Sequence, residues 1–324
     1  MSKFQRSVLI TGGTTGLGYQ CALAVARDCP TYQVIIASRN DNSAAETINK
    51  LLNHSNVQFM KLDLSNLANI RSFATTWEAS NFPPLYSLVC NAALQFPNAA
   101  EYTDDGFEKT FGINHVGHAL LFSLLRPYLA NTARIVITGS GTHDPAYNTG
   151  MPDAFYNTAE ELAHPLPEYT QGNGRQHYSN TKLANVLYMF ALHRRFTKIN
   201  EKTGKHWTVT TMDPGLMPGT GLAREANGVV KFLWNHVLPH ILPLLRLLIS
   251  PNIHTPGESG EALAQLAVGK NVEGVSGRYF EGRKEIMSSK DSLDEGKQED
   301  LWKWTIDAVA HDEEKVAFSL QDLL

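Results

Sequence analysis

The chain has 324 residues, of which 43% are hydrophobic and 19% charged, a composition typical of globular proteins with a substantial core. The formal net charge of -4 gives no general attraction to nucleic acid or anionic lipid, so we expect a small molecule, and no nucleic acid, as partner. Three sparse cysteines favour a reducing compartment, and strand-like sequence begins within the first ten residues. We therefore predict a cytoplasmic protein.

Short runs rich in valine and isoleucine alternate with longer helix-compatible stretches, the pattern of βαβ units around a parallel sheet. The predicted helices cover residues 18–27, 43–52, 67–79, 103–129, 177–196 and 258–268. The seven predicted strands cover residues 7–10, 33–37, 57–61, 87–90, 134–138, 208–212 and 277–280. No linker divides the chain, so we predict a single domain over residues 1–324 with an α/β, doubly wound, Rossmann-type fold and a parallel seven-stranded sheet.

Two insertions interrupt this alternation. Residues 144–175, rich in proline, glycine, asparagine and acidic residues, predict a long surface loop before the helix at 177. Residues 229–250 are long enough to cross a bilayer, but charged side chains and two prolines break the apolar run. We favour a substrate lid at 216–255 over a helix on a membrane surface. The candidate pocket residues are Phe96, Met217, Trp234 and Leu238.

A glycine-rich turn, TGGTTGLG, leads from Thr11 at the end of the first predicted strand into a helix. Glycines at such a turn let backbone N–H groups approach a pyrophosphate and let helix and strand pack closely. The alternative, a tight turn without a ligand, is disfavoured by the order of strand, turn and helix. The candidate cofactor-binding residues in this turn are Gly12, Thr14, Thr15, Gly16, Leu17 and Gly18.

The end of the second predicted strand indicates which dinucleotide binds. It carries Ser38 and Arg39, and no acidic residue that would hold a ribose 2'-hydroxyl. Arg39 can pair with a 2'-phosphate and Ser38 can donate a hydrogen bond to it, so the sequence favours NADP(H) over NAD. The alternative is that Arg39 is a solvated surface charge and that cofactor specificity is mixed.

Further candidate cofactor contacts follow the third and fourth predicted strands, at the carboxyl ends where ligands bind in parallel sheets. Asp63, next to Leu64, can accept a hydrogen bond from an adenine amino group. Asn91, next to Ala92, can brace the backbone beside the cofactor. The alternative for each residue is a helix cap or turn former.

The candidate catalytic residues begin with Tyr178 and Lys182, whose spacing places phenol and ammonium on one helix face. An adjacent ammonium favours the phenolate and brings tyrosine toward useful acid/base strength. Ser140, after the fifth predicted strand, can hold the substrate oxygen, and Asn114 can hold a water in contact with Lys182. Taken singly, these residues are also compatible with a surface pair, a turn and a helix irregularity.

The histidines suggest neither a metal site nor a hydrolase. His115 and His118 lack a third ligand at metal spacing, so helix packing is the better interpretation. His143 is close to Ser140 in sequence, but no Gly-x-Ser-x-Gly motif surrounds that serine.

Together these motifs resemble the short-chain dehydrogenase/reductase family, in order and over almost the whole chain. The segments that look most like its protochlorophyllide reductase and retinol dehydrogenase-like branch are VCNAAL at Val89, INHVGHALL at Ile113, YSNTKLANVLYMFALHRRF at Tyr178 and DPGLMPGTGLARE at Asp213. The resemblance implies NADPH, a catalytic tetrad and further cofactor contacts. The implied residues are Asn114, Ser140, Tyr178 and Lys182 for the tetrad, the last two also at the cofactor, and Pro214, Gly215 and Thr220 near the nicotinamide.

Two comparisons within the family refine this expectation. Protochlorophyllide reductases carry a cysteine just after the Pro-Gly, where this chain has Leu216, so the photochemical activity of those enzymes is not expected. The insertion before Tyr178 resembles that of carbonyl reductases in which it masks the dimer helix. A monomer is therefore expected, with a homo-oligomer left open.

The predicted reaction is hydride transfer from NADPH to a carbonyl of a bulky apolar small molecule, with Tyr178 as the proton donor. Oxidation of the corresponding alcohol would use the same groups in reverse. Three alternatives remain open: reduction of a conjugated C=C bond, an NADP(H)-binding sensor with little turnover, and a membrane-surface protein.

Overall fold

The computed structural model describes residues 3–172, 174–220 and 228–323, with the side chains of 229–231 and 235 left aside. Its eight strands form one sheet in the order β3-β2-β1-β4-β5-β6-β7-β8. Neighbouring strands from β3 to β7 pair in parallel, and β8 pairs antiparallel with β7 at the edge. The strands are β1 Arg6–Thr11, β2 Tyr32–Ser38, β3 Val57–Lys61, β4 Leu85–Cys90, β5 Leu129–Thr138, β6 Thr208–Asp213, β7 Arg278–Glu281 and β8 Lys284–Ile286.

The predicted doubly wound α/β fold is confirmed, but its strand count of seven is wrong. The eighth strand, β8, has only three residues and returns along β7 after Gly282, which adopts a φ of +55°. Its sequence, KEI, has no buried residue and therefore no apolar periodicity that would predict a strand.

Helices cover both faces of the sheet, because every central strand is apolar on both sides. In β1, Leu9 packs into one core cluster, whereas Val8 and Ile10 pack into the other. Helices α1, α2 and α10 cover the second cluster, and α3, α5, α7 and α11 cover the first. The helices are α1 Gly16–Asp28, α2 Ala44–Leu52, α3 Leu67–Ala79, α4 Lys109–Phe111, α5 Gly117–Leu125, α6 Ala159–Ala163, α7 Gly174–Thr203, α8 Gly228–His236, α9 Leu242–Leu248, α10 Pro256–Val268, α11 Glu295–Val309 and α12 Lys315–Phe318.

The helix predicted over 103–129 is shorter and interrupted. It begins only at α4, because the Glu108 carboxylate accepts hydrogen bonds from the backbone of Thr110 (3.0 Å) and Phe111 (2.8 Å) and so caps the first turn. A π-helical turn, Gly112–Val116, then separates α4 from α5, and β5 already begins at Leu129. The apolar pattern of this segment predicts a continuous helix and does not reveal the cap or the extra residue of the π turn.

The insertion at 144–175 is only partly the surface loop that its composition predicts, since residues 145–150 and 166–169 are exposed but the segment between them packs into the protein. Its middle is buried, with Ala154, Tyr156 and Leu162 in the main core cluster and α6 lying against α7 and α11. The Tyr156 hydroxyl donates a 2.6 Å hydrogen bond to Asp300 Oδ2 in α11. The predicted helices do not include α11, so no packing partner was predicted for these apolar residues.

The second insertion forms short helical pieces. Prolines start new turns at Leu238–His240 and in α9, so the apolar run is divided into α8, this 3₁₀ turn and α9. Within the described ranges, no helix is long and apolar enough to cross a membrane.

Close packing of α10 on α1 gives a test of this fold. A Cβ at Gly260 would lie 2.4 Å from Gln20 Cβ and 2.8 Å from Gln20 C. Gly260→Ala should therefore lower the free energy of unfolding by about 1–3 kcal/mol through overpacking, measured by urea denaturation. Gly257→Ala in the same helix is the control, because its Cβ would meet only Thr255 Oγ1, at 3.8 Å. Equal stability of the two variants would contradict the packing described.

Candidate active site

A cavity of about 750 Å³ opens at the carboxyl edge of the sheet. It lies where the strand order reverses between β1 and β4, the position at which doubly wound folds bind ligands. Most predicted site residues line it: Gly12, Thr15, Gly16, Leu17, Gly18, Ser38, Arg39, Asp63, Leu64, Asn91, Ala92, Ser140, Tyr178, Lys182, Pro214, Gly215 and Thr220.

Four predicted residues are placed elsewhere. Thr14 and Asn114 are buried and do not line the cavity. Of the four candidate pocket residues, Met217 and Trp234 line the cavity, whereas Phe96 packs against the main core and Leu238 against the small cluster beneath α9. Apolar character alone does not distinguish a pocket residue from a core residue.

The glycine-rich turn is shaped by contacts that admit no side chain. A Cβ on Gly18 would lie 2.3 Å from the Gly12 carbonyl oxygen and 2.6 Å from Asn91 Nδ2. Asn91 Nδ2 donates a 2.8 Å hydrogen bond to the Thr11 carbonyl, which fastens the end of β4 to the end of β1. No side chain caps the first turn of α1, so its N–H groups face the cavity edge without a side-chain acceptor. These features fit a dinucleotide pyrophosphate.

Arg39 and Ser38, at the end of β2, lie on the wall of the same cavity. Asp63, after β3, accepts hydrogen bonds on Oδ1 from the backbone (3.0 Å) and hydroxyl (2.7 Å) of Ser65, which fixes the orientation of its carboxylate. The Thr220 hydroxyl donates to the Met217 carbonyl at 2.8 Å, and the Thr220 backbone carbonyl accepts from Trp234 Nε1 at 3.0 Å.

Tyr178, Ser140 and Lys182 meet at the cavity floor. Ser140 lies close enough to the Tyr178 phenol to act on its pKa by hydrogen bonding, and Lys182 Nζ lies 5.4 Å from the centre of the Tyr178 ring. Lys182 Nζ also donates a 3.0 Å hydrogen bond to the Thr138 carbonyl at the end of β5. The ammonium is therefore held beside the phenol by α7 and β5 together.

Desolvation has the largest effect on the pKa values of Tyr178 and Lys182. It raises the pKa of Tyr178 above its usual value, and the Asp213 charge raises that pKa further, against the hydrogen bond from Ser140. Desolvation lowers the pKa of Lys182 to about 8, and the Asp213 charge partly offsets this. Tyr178 is thus kept protonated, as a proton donor requires.

Asp213, the last residue of β6, is a buried carboxylate on the cavity wall that the sequence analysis did not select. Its Oδ1 accepts from the Gly215 backbone at 3.0 Å, and its Oδ2 accepts from Asn252 Nδ2 at 2.8 Å. Desolvation raises the pKa of Asp213, and these donors oppose that effect. Its position directly before Pro214, at a strand end, was the available signal.

The Asn114 amide makes three hydrogen bonds within the protein. Its Oδ1 accepts from the Leu94 backbone at 2.9 Å, and its Nδ2 donates to the Leu94 carbonyl at 3.0 Å and to Thr181 Oγ1 at 3.3 Å. The water contact between Asn114 and Lys182 stays a prediction.

The neighbouring histidines have structural partners. His143 Nδ1 lies 2.8 Å from the Ser140 carbonyl oxygen, and its Nε2 accepts from the Ser289 backbone at 3.1 Å. Both ring nitrogens therefore have partners other than the Ser140 hydroxyl. His115 Nε2 lies 2.9 Å from Thr305 Oγ1, and its ring stacks on Phe111.

The chain is similar to known dehydrogenases and reductases over most of its length. Residues 6–152 match the sequence model of short chain dehydrogenases, and residues 223–318 match that of an AcuH dehydrogenase domain. Over 306 aligned residues the chain is 33% identical to the chloroplastic protochlorophyllide reductase of Daucus carota, covering 89% of this chain and 73% of the relative. It is 30% identical to polyprenol dehydrogenase of Homo sapiens, covering 92% and 83%.

A solved structure supports the fold. The 3-oxoacyl-(acyl-carrier protein) reductase from Brucella melitensis in complex with NAD is similar with a TM-score of 0.61 at 17% identity, covering 87% of this chain and 97% of that one. The chain belongs to the short-chain dehydrogenase/reductase family, whose members are oxidoreductases that bind nicotinamide cofactors. Within it, the chain lies in the branch that contains the protochlorophyllide reductases and the retinol dehydrogenase-like enzymes.

Asp213 gives a pH-dependent prediction. Its negative charge raises the pKa of both Tyr178 and Lys182, so Asp213→Asn should lower both and move the alkaline limb of reductive kcat/KM to lower pH. The sign is the same for both groups, because each loses the charge that favours its protonated form. Asp104→Asn, an exposed carboxylate outside the cavity, is the control for net charge. An unmoved limb, or a shift to higher pH, would refute the role of this charge.

Proposed function

We propose that the protein is an NADPH-dependent reductase that transfers a hydride to a carbonyl carbon of a bulky apolar molecule. The observation that carries the proposal is the meeting of Tyr178, Ser140 and Lys182 in the cavity that also contains the glycine-rich turn. This places an acid, a hydrogen-bonding hydroxyl and a cation within one cavity.

When bound, the dinucleotide supplies the hydride. Ser140 holds the substrate oxygen, and Tyr178 donates its proton to that oxygen as negative charge develops there. Lys182 stabilises the negative charge left on the phenol, since its Nζ is fixed beside the ring by the Thr138 carbonyl. Asp213 favours the protonated phenol, which suits reduction better than oxidation.

Residues at the end of β2 support the cofactor preference. Arg39 is exposed on the cavity wall with Ser38 beside it, and the acidic residue nearest in sequence, Asp41, does not line the cavity. A guanidinium pairs with a phosphate in a charge-assisted, bidentate manner, so NADPH is favoured over NADH.

Residues of the lid segment support the substrate class. Met217 and Trp234 line the cavity, and Leu216 and Ile249 line it while remaining 40% and 69% exposed. The backbone of Leu216 pairs with residues 252–254, accepting from His254 at 3.0 Å, which anchors the base of the segment beside Asp213. An apolar wall with an exposed apolar rim suits a bulky apolar substrate, and one relative is named for a polyprenol.

Reduction of a conjugated C=C bond is the second candidate reaction, favoured by the likeness to protochlorophyllide reductase. The same cavity and acid can serve it, and the product distinguishes the two reactions.

The test of this function is NADPH and NADH consumption across bulky ketones, aldehydes and enones, with the products identified by mass spectrometry and NMR. Carbonyl reduction is expected, and Tyr178→Phe should abolish it while leaving NADPH affinity within a few-fold of normal, because only the transferred proton is removed. Saturation of enones alone would favour the second candidate. Retained turnover in Tyr178→Phe would overturn the assignment of the proton donor.

Arg39→Ala tests the cofactor preference. Loss of the phosphate contact should weaken NADPH binding by roughly tenfold or more, whereas NADH, which lacks the phosphate, should bind as before. Fluorescence titration of both cofactors measures the two affinities, with NADH as the internal control. Equal losses for both would place Arg39 outside the phosphate site.

A further inference from the structure

His118 occupies a buried position between the cofactor turn and the helix that carries Asn114. It is the second residue of α5 and is only 6% exposed. Its Nε2 lies 2.9 Å from Thr11 Oγ1 at the end of β1, and its Nδ1 lies 3.2 Å from the Asn114 carbonyl oxygen. The imidazole thus bridges two parts of the site that are 103 residues apart in the sequence, from Thr11 to Asn114.

The hydrogen bonds of Thr11 define the proton positions on this ring. Thr11 Oγ1 already accepts from the backbone N–H groups of Asn91 (2.9 Å) and Ala92 (3.0 Å), which use both acceptor sites of the hydroxyl. Its hydrogen therefore points to an acceptor, and His118 Nε2 at 2.9 Å is the nearer of two, the other being Val89 O at 3.2 Å.

The other ring nitrogen must then be the donor. A carbonyl oxygen can only accept, so the proton resides on Nδ1 and is donated to the Asn114 carbonyl. Desolvation, with the Lys182 charge adding to it, lowers the pKa of His118 to about 4, so the ring stays neutral at working pH. A neutral ring with both nitrogens hydrogen-bonded links the Thr11 hydroxyl to the Asn114 backbone in a fixed geometry.

We propose that His118 is a positioning residue that couples the cofactor turn to the Asn114 end of the catalytic group. Through Thr11, it holds the hydroxyl that orients the Asn91 and Ala92 backbone on the cavity wall. Through its Nδ1, it holds the backbone carbonyl of Asn114, whose side-chain amide is bound by Leu94 and Thr181. The proposal rests on the proposed function for its turnover readout, but not for its binding readout.

His115 is a matched control in the same stretch of chain. It is equally buried, at 2% exposed, and desolvation lowers its pKa to about 3, so it is neutral as well. Its ring contacts Phe111, Tyr188 and Thr305, on the α11 side of the helix and outside the cofactor cavity. Loss of its imidazole should affect stability without affecting the site.

The experiment uses three substitutions of His118 that separate its two contacts. His118→Leu removes both hydrogen bonds. His118→Gln can place an amide near the Nε2 position, toward Thr11, and His118→Asn can place one near the Nδ1 position, toward Asn114. The variants and His115→Leu are compared by thermal unfolding, by fluorescence titration of NADPH and NADH, and by kcat at saturating cofactor.

We expect His118→Leu to lose about tenfold in cofactor affinity and about tenfold in kcat, the size of effect when buried polar groups lose a partner. His118→Gln should recover affinity but not kcat, and His118→Asn should recover kcat but not affinity. His115→Leu, at comparable loss of thermal stability, should keep both within about twofold.

Three results would overturn the proposal: normal affinity and kcat in His118→Leu, equal losses in all three His118 variants, or the same losses in His115→Leu. Cofactor affinity is measured without substrate, so it tests the Thr11 contact even if no carbonyl compound is turned over. Failure of the proposed function would instead appear as absent turnover in the unsubstituted protein with its cofactor affinity intact.

Discussion

Parallel pairing of β1 with β4, at the point where the strand order reverses, brings the carboxyl ends of the central strands to one crevice. Four groups of the site are placed by this arrangement. Thr11 ends β1, Asn91 follows β4, Ser140 lies just beyond β5 and Asp213 ends β6. The Asn91 amide fastens two of these ends together through the Thr11 carbonyl. A shift of register in the sheet would separate the turn that fits the cofactor from the serine that faces Tyr178.

Charge within the crevice is balanced among a few buried groups. Desolvation lowers the pKa of Lys182 to about 8, and the charge of the Asp213 carboxylate opposes this decrease. The same carboxylate opposes ionisation of Tyr178, while the Ser140 hydrogen bond favours it. Because desolvation strengthens each of these interactions, small changes in distance or charge should be felt as changes in the pH range of activity.

Much of this was predictable because it depends on local sequence. Apolar runs of strand length located seven of the eight strands, and the glycine turn could be placed because it joins β1 directly to α1. Tyr178 and Lys182 share a face of α7, so their proximity follows from helix geometry alone. Two of the missed features lacked such signals: β8 is three residues long with one apolar residue, and the start of α4 depends on the Glu108 cap. Helix α11 was missed although its buried residues Leu301, Trp302, Ile306 and Val309 recur at helical spacing.

The sequence by itself determined the family, the order of the first seven strands, and the residue types that the chemistry uses. Tertiary structure decided which of them face the cavity: Asn114 turns its amide to Leu94, Phe96 and Leu238 join the core, and Asp213 becomes a charged neighbour of Tyr178. It also brought His118 between Thr11 and Asn114. The physical reason is that local patterns record which face of an element is apolar, whereas partners more than a few residues apart are fixed only when the elements pack together.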